Sequence, residues 1–131
     1  MEIPVTFAGG RVVEAVVGNH VVRTDQPVSS GGGGTAPSPF SLFLASIATC
    51  AGFYVLDFCL KREIPLDGLG LTMKTSSDPE SRMIKRIVLQ VRLPATFPEK
   101  YEQAVVRAAE LCSVKKHLQQ APDFETVTVR S

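Results

Sequence analysis

Charge of one sign is nowhere concentrated in this chain. Fourteen Lys and Arg stand against thirteen Asp and Glu, a net charge of +1, and like charges run no further than two or three residues. That leaves no electrostatic footprint for nucleic acid or for an anionic membrane surface. Cysteine is scarce. Its three copies are an odd count and too few for a disulfide framework. There is no Cys-x-x-Cys, and His20 and His117 lie far apart in sequence. A metal site is not expected. Met1 to Ala8 lacks a basic start followed by an apolar stretch, so no signal peptide is read and a cytoplasmic location is expected. No internal repeat is apparent.

What the chain does have is one long apolar run, Ser38 to Arg62, with no charge before Asp57. Ser38 can cap a helix, Pro39 suits its first position, and Lys61 and Arg62 complement its C-terminus. Apolar residues cover nearly the whole circumference, which predicts a helix buried on all sides. About 18 such residues could also span a bilayer. Ser41, Ser46, Thr49 and Gly52 dilute the run, however, and no basic flank precedes it. A soluble core helix is the expectation, with no membrane partner. A chain of 131 residues fits one domain, 1–131, but has little material left to surround such a helix. An obligate homodimer that wraps two of them together is therefore predicted.

In chain order, Ile3, Val5 and Phe7 alternate as a strand, and Gly9-Gly10 turns. Arg11 to Val17 and His20 to Thr24 read as two further strands. Asp25 to Pro37, with Gly31 to Gly34, reads as a mobile loop. No Lys-Ser/Thr pair follows those glycines, so a phosphate loop is not supported. After the central helix, Leu69, Leu71 and Met73 alternate, Ser76 to Arg82 turns, and Ile87, Leu89, Val91 and Leu93 alternate again. These make an antiparallel pair. Thr96 and Pro98 open a helix whose apolar face includes Val105, Ala108, Leu111 and Cys112. A short stripe of Val114, His117 and Leu118 follows, and Phe124, Val127 and Val129 read as a closing strand. The fold class is α+β, mainly antiparallel sheet packed on helices.

Chemistry centres on the thiols. Cys50 sits mid-helix among small residues, and two readings stay open: a small buried hydrophobe or a reactive thiol. Cys112 lies on an inward helix face and at the start of the next helix. A helix N-terminus lowers a thiol pKa, and Lys115 and Lys116 add positive charge nearby. If the two thiols meet, one can attack an oxidant and the other resolve the sulfenic acid. Cys59 is nine residues after Cys50, about half a turn away, and reads as core. His117 reads as a satisfied buried histidine.

Two stretches, TAPSPFSLFLASIATCAGFYV and AELCSVKKHL, together resemble the OsmC/Ohr superfamily of organic hydroperoxide reductases and osmotically induced proteins, closest to its OsmC-like (YhfA-type) branch. The resemblance covers essentially the whole chain. It implies an intertwined α+β homodimer with antiparallel sheets packed around a long buried central helix and active sites at the interface. It also implies Cys50 as the peroxidatic cysteine and Cys112 as the resolving one. The implied reaction reduces an organic hydroperoxide to its alcohol, with a lipoyl-type dithiol as reductant and no metal or flavin. Phe40, Phe43, Ile47, Phe53 and Tyr54 would suit a hydrophobic hydroperoxide, or are core.

The chain departs from that pattern at one point. Peroxidases of the family carry a glutamate ten residues before the reactive cysteine, where this chain has Phe40, followed by Ser41. The arginine that pairs with it is matched by Arg11 after Gly9-Gly10. Without its acid, Arg11 is free to stabilise a thiolate or to be drawn off by solvent or Glu14. A thiol-dependent peroxidase of stress defence is the leading expectation. The alternative is a non-catalytic dimer that binds a small hydrophobic ligand at the subunit interface.

Overall fold

The structure is a computed structural model and describes residues 1–130. The chain divides into two compact units, Met1–Ala45 and a second beginning at Ser46. The first holds a three-stranded antiparallel sheet in the order β1 (Val5–Phe7), β2 (Val13–Val17), β3 (His20–Thr24). Val17 pairs with His20, so the β2–β3 turn contains only Gly18 and Asn19, and Gly18 takes the φ of +59° that such a turn requires. Glu14 faces Arg23 across the two strands, and their side chains form an ion pair at 2.6 Å. Glu14 is thus engaged by Arg23.

The glycine-rich segment is organised, contrary to its reading as a mobile loop. It folds around Asp25, the one residue buried within the first unit. The Asp25 carboxylate accepts from the backbone of Gln26 (2.7 Å), Gly33 (3.4 Å) and Thr35 (3.0 Å), and from the Thr35 hydroxyl (2.7 Å). A Cβ on Gly32 would fall 1.9 Å from the Gln26 carbonyl oxygen, so only glycine fits there. Composition suggested a floppy linker, but a single buried carboxylate supplies the acceptors that its backbone N–H groups need.

The central helix α1 runs from Pro39 to Lys61. Ser38 Oγ accepts from the Ser41 N–H at 3.2 Å, the cap its type suggested. The other end closes with two reversed bonds, Ile64 N–H to the Cys59 carbonyl (2.9 Å) and Glu63 N–H to the Leu60 carbonyl (3.2 Å). Glu63 stands in the left-handed region at φ +53°, where glycine is usual; the side chain there costs on the order of 1–2 kcal/mol. Buried Ile64 covers this end. Arg62 stacks its guanidinium 3.7 Å over the Phe58 ring and donates to the Phe58 carbonyl.

The helix is not buried on all sides. Ile47, Ala51, Val55, Phe58 and Cys59 form one buried stripe, whereas Phe53, Leu56 and Leu60 form a second that is exposed. Within the second unit, neighbouring elements cover only the first stripe. These are the antiparallel pair β4 (Gly70–Ser77) and β5 (Ile84–Arg92) and the helix α2 (Glu102–Ala109). The core joins Ala51, Val55, Phe58 and Cys59 to Ile64, Phe97, Val105 and Ala109. Burial of a valine-sized side chain such as Val105 stabilises by roughly 1.5–3 kcal/mol. A length that could cross a bilayer is here the spine of that core.

The last helix, α3, spans Ser113–Gln119. The predicted closing strand is absent. Residues 121–130 have no regular structure, and Phe124, Val127 and Val129 are exposed. A strand needs a partner edge for its backbone groups, and these residues have none among the described ones.

Acid should act on the first unit through Asp25. Its hydrogen bonds from Thr35 and Gln26 hold its pKa at about 2, against 3.8 ordinarily. Because the folded-state value is depressed, its stabilising contribution is complete above the ordinary value and lost as pH falls through about 2. Denaturant unfolding of the wild type and of Asp25→Asn should therefore differ by a constant amount above about pH 5, and the gap should close toward pH 2. A gap that ignores pH would refute this.

Candidate active site

Cys50 is held at mid-helix by α1, in a turn with no charged residue. Ala51 is buried in the core, while an added Cβ at Gly52 would meet nothing within 4 Å, so the small residues leave one side of the Cys50 turn open. Cys50 itself is half-buried. The second thiol arrives from the turn between α2 and α3. Leu111 N–H bonds back to the Ala108 carbonyl (3.0 Å), and Cys112 then leaves the helical region with ψ of 117° to become the N-cap of α3. Its Sγ accepts from the Lys115 N–H at 3.4 Å, in the way a capping oxygen would. Cys112 is fully buried, with Sγ 3.9 Å from the Ile47 carbonyl oxygen, one turn before Ala51 on α1.

The two thiols meet. The backbone of Val114, the Cys112 thiol, and the backbone and hydroxyl of Ser113 lie near enough to Cys50 to act on its titration. Those groups, Val114 foremost, pull the Cys50 pKa down against a smaller desolvation penalty. Cys112 moves the other way. Burial raises its pKa most, and the neighbouring Cys50 adds to the rise, against the N–H groups of Lys115 and Val114. The expectation that the start of α3 would activate Cys112 is corrected: Cys112 is the cap of α3, and its burial outweighs the N–H groups of Lys115 and Val114. Cys59 is core, as read, and burial raises its pKa more than Arg62 lowers it. His117 is exposed rather than buried, with Nδ1 donating to the Ser113 carbonyl at 2.6 Å.

Arg11 belongs to the first unit, where it is exposed after the Gly9-Gly10 turn, with its guanidinium beside Gly31. Ser113 and Val114 were not foreseen. Cys112 at a helix start was the available signal, but spacing does not say which sulfur the N–H groups face. Among the described residues no group of three His, Cys, Asp or Glu could hold a metal ion.

A cavity of about 440 Å³, mainly apolar but with Arg86, Glu110 and Lys115 in its wall, lies between β5, α2 and α3. Its wall includes Ile47 and Lys115, both in contact with Cys112 Sγ through their backbones. Leu89, Val106 and Leu118 supply apolar surface.

The family pattern of OsmC-like proteins matches residues 31–127. None of the curated proteins matches the chain. Among solved structures, an osmotic stress induced and detoxification response protein of Psychrobacter arcticus is 23% identical with a TM-score of 0.71, covering 87% of this chain and 85% of its own. An OsmC like protein of Mycoplasma pneumoniae is 14% identical at 0.69, over 92% and 87%. An organic hydroperoxide resistance protein of Vibrio cholerae, with captopril bound in one of its active sites, is 23% identical at 0.53, over 89% and 84%. At these identities the likeness carries the α+β fold.

The three cysteines should separate under alkylation. Iodoacetamide at neutral pH should modify Cys50 first, with Cys59 and Cys112 lagging by at least about tenfold. Peptide mass mapping over time would read the order, and equal rates for Cys50 and Cys112 would refute it.

Proposed function

The chain belongs to the OsmC-like family, and on that premise we propose that it is a thiol-dependent peroxidase that reduces organic hydroperoxides. The seating of the Cys112 sulfur 3.9 Å from the Ile47 carbonyl oxygen, one turn before Cys50 on α1, is the observation that carries this reading, and the two thiols shift in opposite directions. The Cys50 thiolate attacks the distal peroxide oxygen. The O–O bond breaks, the alkoxide leaves and takes a proton, and Cys50 becomes a sulfenic acid. Cys112 then attacks that sulfur, water departs, and a disulfide forms. A lipoyl-type dithiol exchanges with the disulfide and returns both thiols, itself oxidised to a cyclic disulfide. A raised pKa suits Cys112, since it keeps the resolving thiol protonated, and less reactive toward oxidant, until the sulfenic acid is beside it. Arg11 enters this proposal as an electrostatic activator on the strength of its place after Gly9-Gly10.

The cavity whose wall includes Ile47 and Lys115 supports a mainly apolar substrate and also favours a second reading, a non-catalytic binder of a small hydrophobic ligand. One experiment separates them. Cumene hydroperoxide with dihydrolipoamide should be consumed by the wild type, not by Cys50→Ser, and in a single turnover by Cys112→Ser. No Cys50-dependent consumption, with an apolar fluorescent probe bound equally by wild type and Cys50→Ser, would favour the binder.

We take the protein to be a homodimer. The exposed stripe of Phe53, Leu56 and Leu60 on α1 supports this, as does a first unit without a buried apolar side chain. Sedimentation at micromolar concentration should give the dimer mass, and Leu56→Asp should dissociate it. A wild-type monomer would refute it.

A further inference from the structure

Charge that is spread evenly along the chain is not spread evenly over the second unit. In the antiparallel pair of β4 and β5, Leu71, Leu89 and Val91 pack against the core. Side chains alternate across a strand, so Thr72, Lys74 and Ser76 of β4 stand on the outer face, with Gln90 and Arg92 of β5. One irregularity adds to that face. Ser76 pairs with Arg86 and Ser77 with Ile84, which leaves Lys85 as an extra residue. Ile84 takes the side of Ser77 and Arg86 that of Ser76, so the slip lets two consecutive cations, Lys85 and Arg86, share the outer face. Opposite Arg92 stands Gly70, where a Cβ would fall 2.8 Å from the Arg92 Nη2. Glycine there leaves room for the guanidinium to lie across the strand.

Lys74, Lys85, Arg86 and Arg92 are all exposed. None is in an ion pair; among the described residues those join Arg23 to Glu14 and Lys61 to Asp57. No acid stands on this face of the two strands, but carboxylates bound it. Exposed Asp67 lies in the turn before β4. Asp78 and Glu80 lie in the turn after it, with the Asp78 carboxylate accepting from the N–H groups of Glu80 and Ser81. Glu110 stands in the wall of the cavity that Arg86 borders. The cationic stretch runs from the level of Gly70 to that of Ser76, about 20 Å at the rise of a strand. Thr72, Ser76 and Gln90 add neutral hydrogen-bond donors between the cations.

We propose that this face docks a short acidic segment of another protein, laid along the strands in extended form with Asp or Glu at alternate positions. An extended chain repeats its side chains on one side about every 6.8 Å, the same repeat as the outer-face residues beneath it. Acids at that repeat meet Arg92, Lys74 and Arg86 in turn. The face fits other anions less well. β4 and β5 carry no aromatic side chain on which a base could stack. The carboxylates at both ends repel a long polyanion that runs past them. Val88 is the one apolar side chain on the face, too little to enter a bilayer. Neither thiol takes part, so the inference goes beyond the peroxidase reading and does not depend on it.

Fluorescence anisotropy of a labelled peptide of alternating Glu and Thr, titrated with the full chain, tests this. The wild type should bind it at about 50 mM salt and several-fold more weakly at about 300 mM, because exposed charges are screened. Lys74→Glu with Arg86→Glu should lower affinity at least about tenfold. Arg107→Glu with Lys116→Glu reverses two exposed charges on the helices and should change it less than about threefold. Should the first pair not fold, Lys74→Gln with Lys85→Gln, which only neutralises, should still lose about threefold. Absent wild-type binding, or equal losses in the two charge-reversed proteins, would overturn the proposal. Tighter binding of a short single-stranded DNA, or of phosphatidylserine vesicles, lost in Lys74→Glu with Arg86→Glu, would also overturn it and give the face to a nucleic acid or a membrane.

Discussion

The contact on which the second unit's chemistry depends is the seating of the start of α3 against the Cys50 turn of α1. A helix beginning presents unsatisfied N–H groups, and burying them without acceptors would be costly. Here the Lys115 N–H has the Cys112 sulfur, so Cys112 caps its own helix. A single turn thus caps α3 and buries one thiol against the Ile47 carbonyl of α1, while Cys50, one turn on, stays half-buried. The pairing also imposes geometry. Cys112 must be buried to cap, and Cys50 must remain half-buried to be reached.

Burial and hydrogen bonding compete at all three cysteines, and the winner differs. At Cys59 burial stands nearly alone and keeps the thiol protonated. At Cys112 the N–H groups of Lys115 and Val114 are outweighed by burial and by the neighbouring sulfur. At Cys50 the balance goes the other way, with the Val114 N–H outweighing a partial burial. Net charge plays little part in the ordering, which suits a chain whose central helix carries no acid near Cys50.

The first unit shows the same economy of means in a different form. Its sheet buries no apolar side chain, and its interior is a carboxylate. Asp25 gathers N–H groups from a segment whose composition alone looks unstructured, and Gly32 allows the chain to pass within contact of Gln26. The apolar surface left on α1 beside Phe53 and Leu56 complements this picture of units that each lack part of a closed core.

Much of this was legible in the residues. Alternation located the strands, Ser38 and Pro39 started α1, and the apolar face of 104–112 marked α2, because these signals are local and periodic. The family was legible from the two cysteine stretches. The exposed stripe of α1, the order within the Gly-rich loop and the missing strand at Phe124–Val129 were not. Each turns on which surface or edge lies opposite, and a one-dimensional pattern of polarity does not contain that. The same holds for the thiols. By itself the sequence determined that two cysteines stand on helices and that one opens a helix. Only the tertiary structure decided that Cys112 caps its own helix and is buried against the Ile47 carbonyl while Cys50 stays half-buried, because hydrogen bonds depend on direction at ångström range, and spacing along the chain carries no direction.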